Sequence, residues 1–163
     1  MTYCSWFLLL LLAASPAFAS NAQKAASPEG PIEVTSMRME ADQQAGKVQF
    51  IGNVVGKRGG MTIYAEQMTL FFIENETGRK LERIEATGKV RIVDAERVAT
   101  ADHLDFLQAT EKMTLSGHAE VHQAGNLVEG DEIEIFLREN RSLVKGGREG
   151  RVRAIFTPEQ EKK

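Results

Sequence analysis

Residues 48–70 read VQFIGNVVGKRGGMTIYAEQMTL, and the same pattern returns at 84–106 as IEATGKVRIVDAERVATADHLDF and at 113–135 as MTLSGHAEVHQAGNLVEGDEIEI. With Gly52, Gly88 and Gly117 as origin, Val48, Ile84 and Met113 stand four residues earlier, and Phe50, Ala86 and Leu115 two earlier. Val54, Val90 and Ala119 stand two later. Thirteen later come Ala65, Ala101 and Gly130, each followed by an acid: Glu66, Asp102 and Asp131. Sixteen and eighteen later stand Met68 and Leu70, Leu104 and Phe106, and Ile133 and Ile135. Self-similarity on this scale marks stacked supersecondary units, each burying its apolar face against the next.

The period within each unit is two, so even positions around each glycine share one face of a strand, apolar in all three copies. A glycine inside a strand weakens it and marks a bend or a close backbone approach. After the small residue at plus thirteen the apolar parity moves from odd to even offsets, which predicts a bulge or corner at each small–acid pair. A partial copy precedes the three units, with Ala41-Asp42 as its small–acid pair, and another start follows at residues 152–156. No apolar stripe of helical period runs through the chain. Residues 76–83 and 108–112 read as charged turns. The predicted fold is all-β: an elongated β-jelly-roll or β-taco solenoid of repeated strand units, with an apolar interior and an open strand edge at each end.

The chain has 163 residues, enough for one domain, with 42% apolar and 26% charged residues. Its formal net charge of −3 argues against nucleic-acid binding driven by overall charge. Residues 6–14 (WFLLLLLAA), Pro16 and the Ala17-Phe18-Ala19 ending read as a secretory signal peptide cleaved after Ala19, although residues 1–5 carry no Lys or Arg. The single cysteine, Cys4, leaves with that segment, which excludes thiol chemistry and disulfides in the mature chain and suits an exported compartment. The predicted organisation is signal peptide 1–19, flexible leader 20–31, jelly-roll domain 32–157 and polar tail 158–163.

Catalytic motifs are missing: there is no G-x-S-x-G, no phosphate loop, no dinucleotide glycine pattern and no H-E-x-x-H. His118, Glu120 and His122 alternate along one strand face as metal ligands can, but that face lies opposite Ala119 and Val121, so the reading is a solvated surface and no metal site. Glu66, Asp102 and Asp131 occupy equivalent places in successive units, which suits corner-forming residues better than a catalytic or calcium set. His103 completes no nucleophile–base set. Neither an enzyme nor a cofactor is expected. Residues 138–153 carry six basic and two acidic side chains, a solvated edge or a contact for anionic head groups.

The ordered run Ile32-Glu33-Val34, Ala41-Asp42, Phe50-Ile51-Gly52-Asn53-Val54 and Ile63-Tyr64-Ala65-Glu66-Gln67-Met68 resembles the LptA/OstA-like family of periplasmic lipopolysaccharide-transport proteins. Gly146-Gly147 and residues 151–158 resemble that family's last strand. Glu66 departs from its usual Asp, whereas Asp102 and Asp131 keep it. The resemblance spans residues 32–158. It implies a β-jelly-roll with an apolar groove carrying lipopolysaccharide from an inner-membrane complex to an outer-membrane translocon. The implied partners are lipopolysaccharide, an LptC-like membrane-anchored protein and an LptD-like barrel. The open strand edges add head-to-tail self-association by strand addition.

Apolar residues at equivalent repeat offsets are the expected lining of the lipid path: Ile32, Val34, Phe50, Val54, Ile63, Leu70, Val90, Ile92, Phe106, Leu115 and Val121. Ile32 and Val34 also match the family's first-strand aliphatic pair. The alternative is a periplasmic β-solenoid adaptor, or structural protein, that binds protein partners without lipid and fills its interior with its own side chains.

Overall fold

Alternation of apolar and polar residues carries the chain into strand after strand. The structure, a computed structural model, describes residues 30–76, 78–146 and 150–157. The expected signal peptide, its cleavage site and the polar tail lie outside the described residues. Ten strands are present among those described: β1 (Glu33–Thr35), β2 (Arg38–Asp42), β3 (Lys47–Arg58), β4 (Met61–Asn75), β5 (Gly78–Asp94), β6 (Arg97–Leu107), β7 (Lys112–Gln123), β8 (Asn126–Phe136), β9 (Arg141–Lys145) and β10 (Arg153–Ile155). They form one antiparallel sheet in which β3 to β8 follow one another as a meander. The all-β jelly-roll class is as predicted.

Each long strand is divided by an irregularity at the repeat's corner. Between β3 and β4, Ile51 pairs with Gln67 and Val54 with Ala65, so three steps on β3 oppose two on β4. The same three-against-two step separates Thr87/His103 from Val90/Ala101, and Ser116/Glu132 from Ala119/Gly130. Parity changes on the acid-bearing strand, as expected: Ala65 and Met68 are both buried, as are Ala101 and Leu104. The extra residue itself lies elsewhere, on the glycine strand. Gly52-Asn53, Gly88-Lys89 and Gly117-His118 all have positive φ and bulge opposite the acids.

The glycines are required by contact as well as by torsion. A Cβ on Gly88 would lie 2.6 Å from Glu66 Oε2 and 2.8 Å from Glu66 Cβ. On Gly117 it would lie 2.5 Å from Asp102 Oδ2 and 2.8 Å from Asp102 Cβ. The close backbone approach inferred from the repeat is therefore the approach of the neighbouring unit's acid.

The corners fold the sheet into two layers with the apolar faces inward. Residues from both halves of the strands share one core, in which Ala86, Leu115 and Ala119 have no exposure at all. Fully burying each large aliphatic side chain there contributes about 1.5–3 kcal/mol. Charges occupy the outer faces. Lys112 donates a hydrogen bond to Glu134 at 3.2 Å and holds that carboxyl below the usual carboxylate range, while Arg83 pairs with Asp105 and Glu85.

Two further details of the sequence reading change. Ala41-Asp42 is not a corner: Ala41 pairs with Val48, well along β2. The first unit's corner is Ser36-Met37, between Thr35 opposite Val55 and Arg38 opposite Ile51, and the Met37 N–H donates to Gly52 O at 3.0 Å. Met37 lies against Gly52 where later units use an acid, so a search for small–acid pairs passes over it. Residues 78–83 are strand rather than turn, because Phe72 pairs with Leu81 and the β4–β5 hairpin runs past both neighbouring strands.

Candidate functional site

The candidate site is the space between the two layers. Of the expected lining residues, Val54, Leu70, Val90, Ile92, Phe106 and Leu115 are buried in the shared core. Ile32, Val34, Phe50, Ile63 and Val121 are partly buried and packed against it. All eleven therefore belong to one apolar interior. The middle is closed by its own side chains, since Leu115 is 0% exposed and Val90 1%.

The ends are open. Near β1, a cleft of about 530 Å³ is lined by Leu70, Phe72 and Leu81 with Ile32, Arg58, Lys80 and Gln108. Its volume falls in the usual range for small-molecule sites. Beside it, Ile32, Ile63 and Phe106 help to line a narrower apolar crevice. Near β10, a cleft of about 230 Å³ is lined by Val121, Val128, Ile133, Ile135, Val144 and Phe156 with Arg97.

The edges at these two ends are split strands. Among the described residues, β1 and β2 both pair only with β3, and β9 and β10 both pair only with β8. Met39 faces Phe50 across the ladder yet is 59% exposed, and Phe156 is 72% exposed. Inward-phase apolar groups at a terminal edge stay exposed because no further strand covers them.

The polar candidates are elsewhere. His118 Nδ1 lies 2.9 Å from Asp102 Oδ2, and Lys89 Nζ 3.0 Å from Glu66 Oε1, on the outer ridge of the corners. His122 Nε2 lies 3.5 Å from Glu120. Among the described residues no three His, Cys, Asp or Glu side chains gather as a metal site. Glu66 and Asp102 instead pack against the corner glycines.

The sequence reading passed over the mouth of the interior. Arg58 and Arg97 each stand at an inward position in register with Met61 and Asp94, across successive strands. The Arg58 Nη1 donates to Gln108 Oε1 at 2.8 Å, joining two segments fifty residues apart. The available signal was a charged residue in apolar phase: Val54, Gly56, Arg58 on one strand and Arg97, Ala99, Ala101 on another.

The family model described as LptA/(LptD N-terminal domain) LPS transport protein matches residues 33–141, from β1 to the start of β9. The chain belongs to that family. It is similar to the lipopolysaccharide export system protein LptA of Escherichia coli K12, at 26% identity over 157 residues, covering 93% of this chain and 82% of that protein. It is likewise similar to the Haemophilus influenzae protein of the same name, at 26% identity, covering 93% and 88%. LptH of Pseudomonas aeruginosa, an LptA-homologous periplasmic component of a lipopolysaccharide transport device, shares the fold with a TM-score of 0.71 at 19% identity. That match covers 81% of this chain and 99% of LptH.

Proposed function

We propose that this chain is a periplasmic bridge that carries lipopolysaccharide from an inner-membrane-anchored LptC-like partner to an LptD-like outer-membrane translocon. The observation that carries this reading is an apolar interior opening at both ends beside unpaired strand edges, in a chain of the lipopolysaccharide-transport family. Each methylene withdrawn from water into such an interior contributes about 0.8 kcal/mol, so acyl chains supply the affinity. The role is transport rather than catalysis. Family membership favours lipid cargo over a lipid-free adaptor.

Cargo enters where the interior is open and proceeds by parting the layers, because the central residues leave no room in the closed form. Strand addition at β1/β2 and at β9/β10 joins copies and partners head to tail and makes the interior continuous across each joint. The folded unit is residues 32–157, preceded by a leader and a cleaved signal. Intact-mass measurement of exported protein is expected to give a chain beginning at Ser20; a retained Met1 would move the protein to an anchored class.

The lipid path is tested by photo-crosslinking in cells. A photoreactive residue at Phe50, Ile63 or Val121 is expected to capture lipopolysaccharide. One at Asn53, Lys89 or His118, on the positive-φ outer bulges, is not. Equal labelling of the two sets, or no lipid at either, counts against the interior path and for the adaptor.

A further inference from the structure

One polar group at the mouth of the interior is left unmet by the fold. The Arg58 Nε is buried and has no hydrogen-bond partner among the described residues. An unsatisfied buried donor is costly, more so on a charged group. The Nη1 is held by Gln108, which leaves the Nε/Nη2 edge of the guanidinium. That edge carries two parallel N–H groups, the geometry that takes two oxygens of one phosphate once the layers part and uncover the buried Nε.

The surroundings fit an amphiphile. Arg58 lines the 530 Å³ cleft whose walls are Leu70, Phe72 and Leu81, with Lys80 as a second cation beside it. Neither Arg58 nor Lys80 is engaged by an acid among the described residues. Arg97 repeats the arrangement: its Nε is also buried and has no partner among the described residues, and it lines the apolar cleft at the other end. The two arginines lie in one cross-strand row, three strand spacings or about 14 Å apart.

We propose that Arg58, with Lys80, seats a phosphate ester on the polar head of the cargo lipid while the acyl chains lie against the neighbouring apolar wall. This deepens the lipid-carrying reading and rests on it. The Gln108 hydrogen bond fixes the guanidinium plane across the mouth, so that the head is held at the opening and not drawn inside. Arg97 offers the same chemistry where the interior meets the next copy.

The test compares a bis-phosphorylated acylated disaccharide with the same lipid stripped of phosphate, each titrated into the mature full chain and into Arg58→Gln, Lys80→Gln and the double variant. The wild-type chain is expected to bind the phosphorylated lipid about tenfold more tightly. The double variant is expected to lose that preference while keeping its affinity for the stripped lipid. No preference in the wild type, or a preference that survives in the double variant, overturns the proposal. Lys80→Gln is a change at an exposed residue and keeps the test valid if Arg58→Gln fails to fold.

A second readout needs no lipid. The Arg58 ¹⁵Nε resonance is followed while inorganic phosphate is added. A saturable shift, absent when Lys89 on the outer ridge is observed instead, supports the seat. No shift overturns it. If neither lipid binds, the lipid-carrying reading fails by itself, and the phosphate titration decides between a free-anion site and none. Phosphate binding without lipid preference identifies a free-anion site and overturns the head-group assignment.

Discussion

Gly117→Val is expected to destabilise the fold by about 2–6 kcal/mol, read as a lower denaturation midpoint by circular dichroism in urea. The backbone at Gly117 has φ +73°, where a β-branched residue is strained by about 1–3 kcal/mol. The added Cβ also meets Asp102 Cβ at 2.8 Å, and relieving that overlap moves packed strands at a cost of about 1–3 kcal/mol more. Gly60→Ala is the control. Gly60 lacks a positive φ and its nearest atom, Asp94 Oδ1, is 3.9 Å away, so its effect is expected within about 0.5 kcal/mol. A double-mutant cycle separates contact from torsion. Asp102→Gly removes the atoms in the way, so Gly117→Ala should cost less in that background than in the wild type. Equal cost in both backgrounds would leave torsion alone as the reason for the repeated glycine.

Met39→Glu and Phe156→Glu are each expected to weaken end-to-end association at least tenfold without loss of fold. Both side chains are largely exposed, so replacing them disturbs little inside the monomer. Under the proposed strand addition each becomes part of a buried joint, where an apolar anchor is worth about 2 kcal/mol and an unpaired carboxylate is costly. Sedimentation at rising concentration reads self-association, and pull-down of each of the two proposed membrane partners reads docking at the altered edge. Each variant alters one end of the stack only. Mixing the two should therefore allow dimers through the intact ends and stop growth there. Filaments of undiminished length from either variant would sink the joint as drawn.

The recurrence of glycine, small residue and acid was enough to place the strands, their inward faces and the corners of three units. It failed at the first unit because Met37 does there what Glu66 and Asp102 do later, by lying against a glycine of the next strand. Contact, not residue type, defines that position. Residues 78–83 looked like a turn because they are charged, but pairing with β4 satisfies their backbone whatever the side chains are. Arg58 and Arg97 were legible only as breaks in an apolar phase. That they share a row follows from the register of four strands.

The sequence by itself determined the all-β class, the repeat and which side of each strand faces inward, because side-chain alternation is local and the glycine–acid recurrence sets its phase. Only the tertiary structure decided which inward residues are sealed and which line an opening. Leu115 and Val121 have the same parity on β7, yet one is fully buried and the other lines an end cleft. Parity assigns a face; how near the opposite layer comes depends on strands distant in sequence, on bends at the corners and on whether another strand follows at the edge.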